Sequence, residues 1–245
     1  MMNKILKSEL YKIAHEKWLM IATLCMIIFS IGFIAMQMTA MTYSVGINRV
    51  AFLPMVMYGI VISVLVSVFV SEEFDDGFIK NKIIATDNRR QIYTMGLLSN
   101  ILASFAVYLT TNFFTLIVSY FLFPINITVG EYLSFFIFGI FIMLSFVGIF
   151  YFISIIVSRK SKAIIMNMGL AFLMLIASMI INGMLAYDNG LFIQFLFDLN
   201  PYGQIAQLTG MESLNMLRCL LIDIAVFALF AICGIKYFDN KDIRN

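Results

Sequence analysis

Apolar residues fall into six long blocks separated by short polar segments, near 18–40, 51–71, 95–123, 132–157, 163–186 and 215–236. A helix needs about 20 mainly apolar residues to cross a hydrocarbon core of roughly 30 Å, and every block is long enough. The pattern therefore predicts an all-α membrane protein with six transmembrane helices, forming one transmembrane domain over 1–245. The run GLFIQFLF at 190–197 is too short to span and is expected at the interface or re-entrant. Ahead of the first block, residues 3–17 place Leu6, Leu10, Ile13 and Ala14 on one helical face, with Lys4, Lys7, Lys12, Glu9 and Glu16 largely off it. This is the pattern of an N-terminal amphipathic interfacial helix, serving as a topological anchor or in a mechanical role.

Polar positions inside the blocks are patterned as well. In the third block Asn100, Ser104, Tyr108, Thr111, Asn112, Thr115 and Ser119 fall within an arc of about 120° at roughly 100° per residue. Polar groups in hydrocarbon need partners, so this stripe meets either a neighbouring helix or a watery, substrate-lined pathway. Gly59, Ser63, Ser67 and Ser71 recur every four residues in the second block, a small-residue row that lets another backbone come close. Asn167, Ala171, Ser178 and Asn182 form a weaker row in the fifth. Asp223 is the single clear ionisable group inside a block, where a charge costs about 2.5–3.5 kcal/mol even on the lenient insertion scale. It either finds a donor on another helix, lines a cavity or binds a polar substrate group.

Composition sharpens this picture: 62% of residues are hydrophobic and 12% charged, against about 45–50% apolar and about 25% charged in a soluble domain. The net charge of +2 gives no sign of a nucleic-acid partner, but its distribution is informative. Lys4, Lys7, Lys12 and Lys17 precede the first block; Lys80, Lys82, Arg89 and Arg90 follow the second; Arg159, Lys160 and Lys162 follow the fourth; Lys236, Lys241 and Arg244 close the chain. Only Arg49 and Arg218 fall on the other side. Because Lys and Arg collect in cytoplasmic loops, the expectation is a multi-pass cell-membrane protein with both termini cytoplasmic. The first block exceeds the 7–15 residues of a signal-peptide core, so it is expected to stay in the membrane. Cys25, Cys219 and Cys233 lie in blocks without CxxC spacing, and neither disulfides nor a metal site is expected.

Catalytic patterns are missing from the sequence. No glycine-rich loop ending in Gly-Lys-Ser/Thr is present to hold nucleotide phosphates. The one histidine, His15, lies outside the blocks, so Glu72-Glu73 has no intramembrane partner for metal-dependent hydrolysis. The chain reads as non-enzymatic and without a cofactor of its own.

Charge is instead concentrated in SEEFDDGFIKNKIIATDNRRQ, residues 71–91. Phe74 and Phe78 are four apart and are expected to share a helical face. Glu72, Glu73, Asp75 and Asp76 come early and Lys80 and Lys82 late, which suits a helix dipole. Gly77 between the aromatics permits close approach or a bend. A solvated loop needs neither feature, whereas a docking element for a cytosolic protein needs aromatic anchors and orienting charges.

SELYKI near the N-terminus, SEEFDDGFIKN after the second block followed by NRRQIY, LNPYGQIAQL between the fifth and sixth, and the closing KYFDNKDIRN occur in an order and spacing that, with six spans, resembles ABC-2 type transporter permeases over nearly the whole chain. The resemblance implies the membrane subunit of an ATP-binding cassette exporter, a pair of such permeases, identical or sister chains, working with two cytosolic ATPase subunits that hold ATP and Mg. It implies a coupling helix at Glu73, Phe74, Asp76, Gly77, Phe78, Ile79 and Lys80, seated in a groove of the ATPase, and a smaller contact at Arg159, Lys160 and Lys162. It further implies short extracellular helices over 187–214, with Asn200 and Pro201 at their turn. The small size and Phe- and Met-rich spans look most like permeases that remove antimicrobial or amphipathic peptides from Gram-positive bacteria. A stand-alone ion or drug carrier, or an immunity protein that sequesters peptide, is the alternative.

Overall fold

Among the described residues, the computed structural model has six helices long and apolar enough to cross a membrane. The structure describes residues 11, 13, 16–40, 45–75, 77–86, 88–157, 159–187, 190–210 and 216–241, with the backbone alone at 40, 80, 85 and 86. The six are α1 (Lys17–Ala40), α2 (Met55–Asp75), α4 (Arg89–Leu122), α5 (Val129–Val157), α6 (Lys160–Leu185) and α9 (Met216–Asn240). Among the described residues there are also three short α-helices, α3 (Phe78–Thr86) after α2, and α7 (Leu191–Leu199) and α8 (Pro201–Gly210) between α6 and α9, and a 3-10 turn at Ile47–Arg49. No strand occurs among the described residues. The expected amphipathic helix over 3–17 lies outside them except for Tyr11, Ile13, Glu16 and Lys17.

Several boundaries shift from the hydropathy pattern, two of them for clear local reasons. Residues 51–54 form turns, and α2 begins only at Met55; Pro54 disfavours helical backbone at the residue before it. The helix α4 starts at Arg89 rather than near 95, because the Asn88 side chain accepts a hydrogen bond from the Gln91 N–H and caps its first turn. With 34 residues, α4 runs about 51 Å, well beyond a hydrocarbon core of about 30 Å.

Successive spans alternate in direction. One end of the bundle, the basic end, gathers Trp18, Glu72, Arg89, Lys160 and Asp239. At the other, the Ile47 N–H donates to the Pro124 carbonyl at 3.2 Å and Asn126 donates to Asn48 at 2.6 Å. The central helices are α2 and α5, 67% and 61% buried across their most apolar stretches, against 17% for α6 and 11% for α9. The outer helices therefore present side chains such as Leu173, Met179, Leu217 and Leu221 outward, which lipid tails solvate as readily as a protein core would.

Small residues set the closest approaches. On α2, Ser63, Ser67 and Ser71 are buried; the Ser67 Oγ lies 3.3 Å from the Ala163 carbonyl of α6, and the Asn167 amide donates to the Ser67 Oγ at 2.7 Å. On α5, a side chain at Gly139 would collide with the Tyr108 Oη, which donates to the Phe136 carbonyl at 2.7 Å. Gly139→Val is accordingly expected to push Tyr108 out of that bond and lower stability by about 1–3 kcal/mol, read as an earlier unfolding transition of the detergent-purified chain; an unchanged transition would show that the α4–α5 interface yields at no cost.

Candidate functional site

The chain turns sharply at the basic end, directly after α2. Gly77 takes a φ of +70°, in the left-handed region that glycine enters without penalty. A Cβ there would meet nothing within 4 Å, so Gly77 serves the bend and not a close approach. Its N–H donates to the Phe74 carbonyl at 3.2 Å and its carbonyl accepts from the Asn81 N–H at 3.2 Å, ending one helix and starting the next. The bend is bridged by Glu73 and Lys82, whose carboxylate and ammonium are 3.0 Å apart.

This geometry corrects the expectation that Phe74 and Phe78 share a face. The helix breaks between them, so four-residue spacing no longer aligns them. Phe74 packs inward against the core with the Lys241 Nζ 4.6 Å from its ring centre, whereas Phe78 is 53% exposed. On α3, Ile79 is buried and Ile83 packs beside it, while Phe78 and Ile84 point outward. Asp76 and the Lys80 side chain lie outside the described residues.

Every spanning helix is tied at this end. Glu72 of α2 accepts from the Trp18 indole of α1 at 3.0 Å and from Lys160 of α6 at 2.7 Å. Arg89 of α4 donates to the carbonyls of Asp239 and Lys241 at 3.0 and 2.7 Å, where the negative end of the α9 dipole favours a cation. Arg90 pairs with the Asp239 carboxylate at 2.7 Å. Lys241 donates to the Ile155 carbonyl of α5, and partial burial lowers its pKa from the ordinary lysine value. Of the loop cations singled out by sequence, Lys160 is engaged within the chain, while Arg159 and Lys162 are exposed.

The seven polar residues of α4 are all buried within the chain. Tyr58 of α2 donates to the Ser104 carbonyl at 2.8 Å, and Thr115 donates to Ser30 of α1 at 3.1 Å. Asn100, Thr111 and Asn112 donate to carbonyls one turn back on their own helix. The stripe thus faces α1, α2 and α5. The recess of about 450 Å³ near the far end of α4 is lined instead by its outward flank, Leu116, Ile117, Tyr120 and Phe121. Asp223 of α9 is buried and accepts from Ser145 of α5 at 2.6 Å; its second carboxylate oxygen has no hydrogen-bond partner among the described residues.

Sequence reasoning missed the most elaborate polar cluster. At the end opposite the basic one, the fully buried Asp198 carboxylate accepts from Gln194 at 3.0 Å and Gln207 at 2.8 Å and pairs with Arg218. The Gln204 amide donates to the Asp198 carbonyl at 2.6 Å. These bonds join α7, α8 and the first turn of α9. The available signal was Arg218 itself, a cation on the wrong side for the overall charge pattern, which a buried acid explains.

No protein-family model matches this chain, and no curated protein matches its sequence.

Proposed function

We propose that this chain is the membrane-spanning permease subunit of an exporter driven by ATP that a separate subunit hydrolyses, and that the elbow joining α2 to α3 receives the force. The observation that carries this reading is a short helix bent off the end of the most buried span, braced by Glu73 and Lys82, with Phe78 and Ile84 exposed at the basic end. Exposed aromatic and aliphatic anchors on a braced helix suit insertion into a groove of a partner, and a rigid elbow passes displacement to α2 instead of absorbing it.

The placing of basic residues supports cytoplasmic termini and a cytoplasmic elbow, where an ATPase is accessible. Two permease chains and two ATPase subunits would surround a shared pathway, with the α7–α8 pair on the outer face. An amphipathic or antimicrobial peptide is the substrate class that suits spans with sparse charge and apolar recesses. Energy supplied from outside the polypeptide needs no titratable relay in the spans, whereas a stand-alone carrier would depend on Asp223 and an ion gradient.

The test is purification of the tagged full chain from its native membranes. A co-purifying protein with ATPase activity is expected, and Phe78→Ala is expected to reduce its recovery at least about tenfold, as for an interface anchor, without changing the unfolding transition. Absence of ATPase from the wild-type preparation, with export abolished by Asp223→Asn and by collapse of the ion gradient, would establish the carrier instead.

A further inference from the structure

We propose that the cleft between α1, α2 and α6 is a specific site for an anionic phospholipid, with one acyl chain in the cleft and the headgroup at the basic end beside Trp18. The inference rests on the chain spanning a membrane and is independent of the ATPase partner. The cleft has a volume of about 180 Å³ and an almost wholly apolar lining that includes Trp18, Cys25, Phe29, Val61, Val64 and Met168. From Trp18 to Phe29 it follows α1 for about 16 Å, roughly half of a hydrocarbon core of about 30 Å and so the depth of one leaflet. An acyl chain entering beside Trp18 fits that length.

Charge at the entrance selects the headgroup. The Lys160 Nζ lies 5.1 Å from the Trp18 ring centre and 2.7 Å from the Glu72 carboxylate, which the Trp18 indole also engages. Both bonds fall on the same Glu72 oxygen, and the ion pair offsets the charges of Glu72 and Lys160. Lys17 adjoins Trp18, and Arg159 and Lys162 flank Lys160; all three are exposed and form no ion pair among the described residues. Neither α1 nor α6 carries an acid in its first turn; besides Glu72 and Glu73, the described acids nearby are Glu16, just before α1, and Asp75, in the last turn of α2. Lys17, Arg159 and Lys162 outnumber those two, so among the described residues the entrance keeps a surplus of positive charge at headgroup depth, the arrangement by which basic pockets between spanning helices take anionic lipids.

Trp18 is the one tryptophan in the chain, which makes it a site-specific reporter. The purified full chain is reconstituted without any partner in phosphatidylcholine vesicles containing increasing fractions of phosphatidylglycerol or phosphatidylcholine brominated along the acyl chain. Half-maximal quenching of Trp18 is expected at an about fivefold lower mole fraction of brominated phosphatidylglycerol than of brominated phosphatidylcholine, an advantage that shrinks in 0.5 M salt, roughly the regime of a Debye length below about 8 Å. The advantage is expected to disappear when Lys17→Gln, Arg159→Gln and Lys162→Gln are combined, and when Val64→Phe fills the cleft. Equal quenching by the two lipids in the wild type would overturn the proposal, as would a preference that survives the three surface substitutions. Those substitutions lie at exposed positions, so they remain decisive if Val64→Phe fails to fold.

Discussion

Replacing Arg218 by methionine is expected to be among the most destabilising single changes in this chain, costing about 3–5 kcal/mol, the usual penalty for leaving a buried charge without its partner. The reason lies in how unequally the two members of the pair are buried: the Asp198 side chain is 1% exposed and Arg218 36%. Without the guanidinium, the carboxylate keeps only the amides of Gln194 and Gln207, and its charge remains sealed from water. Asp198→Asn should cost less, because a half-exposed Arg218 can turn towards solvent and the new amide oxygen still accepts from both glutamines. Combining Asp198→Asn with Arg218→Met removes both charges and should recover more than half of the loss seen for Arg218→Met. Thermal unfolding of the four detergent-purified chains measures this cycle; strict additivity of the two single effects would mean that the pair is not coupled.

The spans were legible because a stretch of about 20 apolar residues has few other uses, and that rule needs no knowledge of neighbours. The α4 stripe was legible as a periodic pattern, since Asn100, Ser104, Tyr108, Thr111, Asn112, Thr115 and Ser119 share one side of a helix whatever they touch. What they touch was not legible: threonine and asparagine side chains that bond carbonyls of their own helix are satisfied against apolar neighbours as well as against a watery pathway. The fate of Phe74 and Phe78 turned on one backbone angle. Four-residue spacing implies a shared face only in an unbroken helix, and Gly77 breaks it. The partner of Arg218 was not legible, because its pairing with Asp198 depends on how α7 and α8 fold back against the start of α9, a tertiary relation with no periodic trace.

Gly77→Val is expected to disable the proposed coupling without unfolding the spans. A β-branched residue at a φ of +70° carries a backbone penalty of at least about 1–2 kcal/mol, and the open space around the Gly77 position means that no side-chain clash adds to it. The strain therefore falls on the bend alone, where α3 can relieve it by leaving the angle that Glu73 and Lys82 hold. A bias of that size shifts the equilibrium between the native elbow and a released α3 about tenfold towards release, and ATPase recovery on the tagged chain, with export of peptide, should fall with the share of native elbow lost. Gly77→Asn supplies the control, since asparagine enters the left-handed region more readily than other side chains; it should retain most of the recovery. Both chains should unfold as the wild type does, because α2 and α5, which hold the core, do not depend on this angle. Undiminished export by Gly77→Val, in a chain whose Phe78→Ala variant has lost the ATPase, would show that α3 is a docking surface only, with force reaching the spans by another contact such as the Arg159 to Lys162 turn.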